Sequence, residues 1–265
     1  MTAVLSPVVA RTRSELSAAL DTLERPVRLV PTMGALHAGH AALLAAAGPG
    51  AVLSVFVNPL QFGPGEDFER YPRDFAADRE LAAAHRVSVI WAPDVAQMYP
   101  LGRPQVSVHG GPRGDRYEGA ARPGHFDGML TVVAKLFHRV RPDEAYFGQK
   151  DAQQIRLIQD MVRDLDLPVS VHQVPTVREA DGLALSSRNR YLDQAGRRAA
   201  LAIPRALATG SVQRARQVLA AEPGLRVDYC ELVDELSFEP AAGRHGRLII
   251  AAYAGATRLI DNELI

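Results

Sequence analysis

The chain is short of several residue types, and each scarcity narrows what it can be. A single cysteine, Cys230, in 265 residues excludes an internal disulfide, and no Cys/His set has the spacing of a structural zinc site. Of 30 basic residues only Lys135 and Lys150 are lysines, and 30 acidic residues cancel the total to a formal charge of zero. A neutral chain has no overall electrostatic footprint for nucleic acid or an acidic membrane surface, although a local basic pocket is compatible with it. No apolar run approaches the ~18 residues of a membrane span. The first residues, MTAVLSPVVARTRSEL, carry charge too early for a secretory signal. Repeats and low-complexity tracts are missing as well. These exclusions leave a soluble, cytoplasmic globular protein, long enough to bury roughly 70–75% of its unfolded surface in one large or two smaller domains.

What is present is an alternation of apolar runs and amphipathic stretches. Strands are predicted at 27–30, 52–57, 87–91, 145–147 and 169–174, and helices at 39–47, 74–86, from 127 onward and at 152–165. The continuous apolar run VLSVFV suits a strand covered on both faces. Met129, Val132, Val133, Leu136, Phe137 and Val140 mark one helix face, and Ile155, Ile158, Val162 and Leu165 another. This order predicts an α/β, Rossmann-like, doubly wound parallel sheet with right-handed crossovers, over residues 1–176. Helices at 193–208 and 211–221, then strands at 227–233, 248–253 and 257–260 with turns at 243–246 and Gly255, predict a smaller α+β domain over 177–265. Parallel sheets bind ligands beyond the carboxyl ends of their strands. Functional residues are therefore expected there.

Five segments meet that expectation. Met33, Gly34, Ala35, Leu36, His37, Ala38, Gly39 and His40 link a strand to a helix. The glycines open the backbone, and the helix N-terminus and two imidazoles suit phosphates. Taken alone, both histidines equally suit capping or surface positions, and metal ligation lacks a third ligand at useful spacing. Gly148, Gln149, Lys150 and Asp151 follow the next strand and set a point charge where a phosphate could lie. Leu185, Ser186, Ser187 and Arg188 form either an anion clamp or a polar turn opening the next helix. Asn58 and Gln61 end a strand, and Gln153 and Gln154 open a helix, where amides could orient a carboxylate or hydroxyl without adding charge. Arg122 and His125 share a turn. Cys230 reads as a small buried apolar residue.

Jointly these segments resemble the pantoate–β-alanine ligase (pantothenate synthetase) family of the nucleotidyltransferase superfamily. The resemblance spans nearly the whole chain, through PTMGALHAGH, VFVNPLQFGPGED, YPRD, MYP, EGAARPGHF, KLFHRVRPDEAYFGQKDAQQ, VPTVREADGLALSSRNRYL and RLIDN in order. It implies condensation of pantoate, ATP and β-alanine to pantothenate, AMP and pyrophosphate, with Mg2+, in a homodimer with no nucleic-acid or membrane partner. By position it implies that Met33 to His40 bind ATP, with His40 as proton donor and His37 and Lys150 also catalytic. Gly148 to Asp151, Val177 and Leu185 to Arg188 complete the ATP contacts, the last on a lid-like second domain. Gln61 would touch pantoate and β-alanine, and Gln154 pantoate. Asp78 is the one candidate raised for the metal, whose ligands the resemblance leaves unassigned.

Two departures stand out. Ala38 occupies a position that is usually acidic in the family, so any help from that carboxylate is absent, and the 46–51 connection is short. Two rival readings stay open at this point: another nucleotidyltransferase that stops at a nucleotide-linked product, or a catalytically idle nucleotide- or RNA-binding relative. Release of AMP with consumption of an amine separates the ligase from both.

Overall fold

The computed structural model describes residues 6–243 and 245–265. The chain separates into two compact units, one running to Gly148 and resuming at Gln154–Val174, the other made of Gln149–Gln153 and Pro175–Ile265. In the first unit, β1 (Val8–Ala10) leads to α1 (Arg13–Leu20), whose start is closed by a capping box between Thr12 and Glu15. β2 (Arg28–Thr32), α2 (Ala38–Ala47), β3 (Val52–Val55), α3 (Phe75–Ala84) and β4 (Val89–Trp91) follow. After the one-turn helices α4 (Val95–Met98), α5 (Gly111–Gly114) and α6 (Glu118–Ala121) come α7 (His125–Val140), β5 (Glu144–Gly148), α8 (Ala152–Asp164) and β6 (Ser170–Val174).

The six strands form one sheet in the order β1-β4-β3-β2-β5-β6, every pair parallel. Successive strand residues serve opposite faces, because side chains alternate along a strand. Leu29, Val52, Val89, Ala145 and Phe147 pack with α1, α7 and α8, whereas Val30, Leu53, Ile90 and Tyr146 pack with α2 and α3. Two apolar faces explain the unbroken hydrophobic runs in the sequence. Strand order reverses between β2 and β5, so their carboxyl ends flank the switch point where such sheets bind ligands.

The second unit holds α9 (Gln194–Ala200), α10 (Ala202–Leu207), α11 (Val212–Ala220) and an antiparallel sheet of β7 (Leu225–Val233), β8 (Arg247–Ala254) and β9 (Thr257–Leu264). Its own core gathers Leu183, Ile203, Leu207, Leu219, Leu248, Ile250 and Leu259.

Three expectations need correction. The single helix over 193–208 is two helices broken at Leu201, where Pro204 has no N–H to give the carbonyl four residues back. Helix α8 ends at Asp164, which leaves Leu165 exposed; Leu157 and Met161 fill the apolar face instead. Strand β9 runs four residues further than its apolar pattern suggests, through the polar stretch Asp261–Asn262. The 243–246 turn contains Arg244, and the N-terminal stretch contains Met1–Leu5, both outside the described residues. Among the described residues no helix is long and apolar enough to cross a membrane.

Candidate active site

The loop after β2 is built around two consecutive residues with positive φ, Gly34 (82°) and Ala35 (51°). Asp78 of α3 holds them in place. Its carboxylate accepts the N–H of Ala35 at 3.1 Å and of Leu36 at 2.7 Å. A Cβ at Gly34 would stand 2.9 Å from the same carboxylate and 3.0 Å from Val55, so the glycine is required by space as well as by φ. Burial pushes the Asp78 pKa above the usual carboxylate range, against the pull of the two amides. Asp78 is only 2% exposed with both oxygens engaged, so it braces the loop and does not suit a metal ligand.

The loop then enters α2 through a cap made by two histidines. His37 Nδ1 accepts the Gly39 N–H at 3.1 Å, and His40 Nδ1 accepts the His37 N–H at 3.2 Å. The rings lie 4.2 Å apart. With both Nδ1 atoms acting as acceptors, the proton of each neutral imidazole belongs on Nε2. The first-turn amides and the positive end of the α2 dipole share this corner. Capping and phosphate binding, set against each other in the sequence, are thus compatible, since the caps occupy Nδ1 and leave the other ring nitrogen of each histidine outside the cap.

A buried amide network lies beyond β3. Asn58, 1% exposed, donates to Gln61 Oε1 (3.1 Å) and to the Gly128 carbonyl (3.0 Å), and accepts from Tyr99 Oη (2.8 Å) and from the Leu60 N–H. This orients Gln61 with its NH2 as the outward donor, one N–H of which meets the Met33 thioether at 3.1 Å. Gly128 permits the arrangement: a Cβ there would fall 2.1 Å from the Leu60 carbonyl oxygen. The Gln61 carbonyl accepts from His125 Nδ1 at 2.8 Å and from Arg122 at 3.3 Å, and Arg122 also grips Glu66 at two points, 2.8 and 2.6 Å. Since Arg122 also donates to His125 Nε2, His125 is held neutral, and burial with the nearby guanidinium lowers its pKa to about 4.

Of the other segments expected to bind ATP, Gly148 ends β5 in the first unit, whereas Gln149–Asp151, Val177 and residues 185–188 belong to the second. Gln149–Asp151 form one 3-10 turn, with the Lys150 ammonium 3.6 Å from Asp151. The Val177 carbonyl accepts the Leu185 N–H at 2.9 Å, which closes a tight hairpin. Ser186 caps the following 3-10 turn, Ser187–Tyr191, by accepting the Arg188 N–H at 3.2 Å. Arg197 clamps Glu179 and Asp181 beneath this hairpin. Gln154 lies in the first turn of α8, in the first unit, half-buried.

The implied Mg2+ finds no ready cage: among the described residues no group of three or more His, Cys, Asp or Glu side chains could hold a metal. Cys230 is buried, its thiol pushed up to about 11 by desolvation, as a core residue should be. Asp78 as a brace, Gly128 as a contact and the Arg122–Glu66 clamp escaped the sequence reading. A signal existed for Asp78, an acid four residues before Ala82 on the apolar face of α3. The other two depend on contacts distant in sequence.

Comparison with known proteins places the whole chain. The family model for pantoate-beta-alanine ligase matches residues 8–264. The chain is 52% identical to pantothenate synthetase of Acidothermus cellulolyticus, covering 97% of this chain and 91% of that protein, and 53% identical to that of Leifsonia xyli, covering 97% and 94%. Among solved structures, pantothenate synthetase from Thermus thermophilus superposes with a TM-score of 0.89 at 46% identity, over 97% of this chain and 98% of that one. Pantoate-beta-alanine ligase from Francisella tularensis, complexed with beta-gamma ATP and beta-alanine, gives 0.83 at 31% identity, over 97% of each chain. The chain belongs to the pantoate–beta-alanine ligase family.

Proposed function

We infer that this chain is an ATP-dependent ligase that joins (R)-pantoate to β-alanine through a pantoyl adenylate, releasing AMP and pyrophosphate. The observation that carries the reading is the family match across residues 8–264. It disfavours both a simple nucleotidyltransferase and an idle relative.

The chemistry asks mainly for positioning and charge stabilisation. A pantoate carboxylate oxygen attacks the α-phosphorus of ATP, the bond to pyrophosphate breaks, and negative charge builds on the phosphate oxygens. His37 and His40, as Nε2–H donors, the first-turn amides of α2, Lys150 and Arg188 are the groups proposed to take up that charge, with His40 as proton donor. Met33 to His40, Gly148 to Asp151, Val177 and Leu185 to Arg188 are the proposed ATP-binding segments, the second unit serving as lid. The β-alanine amine then attacks the acyl carbon, and AMP leaves with the oxygen contributed by pantoate. Gln61 supplies amide hydrogens to pantoate and β-alanine, and Gln154 contacts pantoate.

Mg2+ is proposed as the counter-ion that the ATP phosphates bring, since phosphate-bound Mg2+ needs at most about one or two protein carboxylates. Residence in the cytoplasm and a homodimer complete the reading; light scattering of the purified protein checks the latter. The decisive assay supplies pantoate, ATP and β-alanine together. AMP and pantothenate in equal amounts are expected, with ¹⁸O from labelled pantoate carboxylate recovered in AMP. Label in pyrophosphate or in inorganic phosphate would overturn the adenylate.

A further inference from the structure

The motif RLIDN at 258–262 has no part in the chemistry above, yet its last two residues are buried polar groups on β9, Asp261 at 3% and Asn262 at 5% exposed. Neighbouring strand residues project to opposite faces, so each reaches a different segment. The Asn262 amide donates one hydrogen to the Gln149 carbonyl at 2.9 Å and the other to the Lys150 carbonyl at 2.8 Å. Its oxygen accepts from Arg247 at 2.7 Å, and Arg247, buried on β8, is paired in turn with Glu235. Every hydrogen-bonding group of the Asn262 side chain is therefore in use. A flipped amide would set its oxygen against two carbonyls, so the orientation is determined.

Asp261 does the same on the other face. It receives the Arg178 guanidinium at two points, 2.5 and 3.2 Å, and Arg178 adjoins Val177 at the base of the hairpin that carries Leu185 to Arg188.

In an extended chain consecutive carbonyls point apart. They converge on one amide only when the residues between them are held in a turn. By gathering the carbonyls of Gln149 and Lys150, Asn262 fixes the backbone of the Gln149–Asp151 turn and with it the direction in which the Lys150 side chain leaves. The same bonds explain why Gln149–Gln153, although they directly follow β5, group with the second unit.

We propose that Asn262, backed by Arg247, is the positioning residue for Lys150 in adenylate formation. The proposal rests on the role given to Lys150 above, and its test separates the two. Asn262→Asp keeps the shape and the Arg247 contact but turns both donors into acceptors facing carbonyls. Pantoate-dependent ATP–pyrophosphate exchange should fall by about 10- to 100-fold, with the β-alanine KM within about twofold of the parent. Leu259→Val, on the same strand in the second core, supplies a control for plain destabilisation. If Asn262 acts through Lys150, Asn262→Asp should cost less than about threefold in a Lys150→Ala background. Multiplying losses in the double variant, or parental exchange in Asn262→Asp, overturns the proposal. Should Asn262→Asp unfold more readily than the control, Asn262→Gln, which keeps the amide but displaces it, enters the same cycle.

Lys150→Ala alone tests the assignment of the lysine. Independently of that assignment, the rate at which an amine-reactive probe labels Lys150 relative to Lys135, the one other lysine, reports positioning directly. A changed ratio in Asn262→Asp supports the proposal, and an unchanged ratio sinks it.

Discussion

Two loops leave adjacent central strands at their carboxyl ends, and they are secured in contrasting ways. The loop after β2 is braced within its own unit by one buried carboxylate, Asp78, and closed by a cap that two histidines make from their own ring nitrogens. The groups proposed to face ligand there are backbone amides and imidazoles. The turn after β5 is held from far along the chain. Asn262 of β9, 112 residues away, holds it, and it presents the ammonium of Lys150. The contrast teaches that a short polar loop can be made rigid locally through its backbone. A long, flexible cation needs its backbone anchored from elsewhere, because a lysine loses much rotamer entropy on ordering.

The largest expected effect falls on the cationic side. Lys150→Ala should leave the melting temperature near the parent's while slowing adenylation by ~10²–10³, or about 2.7–4 kcal/mol of barrier. Near-parental turnover would remove the lysine from the contrast. Next comes the brace of the first loop. Asp78→Ala strands two amides in a buried site at about 1–3 kcal/mol each, so urea midpoints should drop together with kcat/KM for ATP. A drop in stability with kcat/KM for ATP intact would show that the brace serves the fold alone.

Gly128→Ala is smaller in reach. Its methyl must push α7 away from the Leu60 carbonyl, an overpacking cost of about 1–3 kcal/mol, and should raise the pantoate KM more than the ATP KM by disturbing Asn58 and Gln61. An equal rise in both would mean that Gly128 does not act through Gln61.

The smallest effect concerns protons. His125 has a pKa of about 4 in the fold against 6.5 when free, so the unfolded chain takes up a proton first as pH falls. The stability contributed by keeping it neutral is full above about pH 6.5 and is lost on descent toward pH 4, about 1–2 kcal/mol of it by pH 5. Glu66, held below the usual carboxylate range by Arg122 despite its burial, adds a loss of the same sign at lower pH. Thermal melts from pH 7 to pH 5 should fall less steeply for His125→Gln. Parallel curves would place the acid sensitivity elsewhere.

Most of the sheet could be read from the sequence because strands such as Val52–Val55 and Val89–Trp91 are short, mainly apolar runs, and α7 because eleven of its sixteen residues are buried in a helical pattern. β1 and α1 stay hidden although Thr12 and Glu15 spell a capping box, since a strand of three residues is too short to give a periodic signal. The motifs told which family the chain belongs to and which segments are expected to face ligand. What they could not tell is what holds those residues: Asp78 braces amides 42 and 43 positions away, and Arg122 reaches back 61 to the Gln61 carbonyl. Spacing in sequence carries no trace of such contacts. The polar end of β9 looks like a place for a strand to stop, because strand reading relies on apolar residues and this end is held by hydrogen bonds.

The discontinuous second unit has a consequence for how the enzyme comes into being. During synthesis the ribosome delivers Lys150 long before Asn262, with the whole of the second unit's core between them. The sheet and the histidine loop can assemble as soon as β6 has emerged, but the lysine turn lacks its Asn262 hydrogen bonds until β9 is made. A nascent chain halted in the β8–β9 hairpin would carry every motif proposed to bind nucleotide and still lack the Asn262 anchor of its lysine turn. The same holds for chimaeras: a second domain transplanted from a relative must bring the matching 149–153 segment with it, since the segment and its anchor form one piece cut from two stretches of chain.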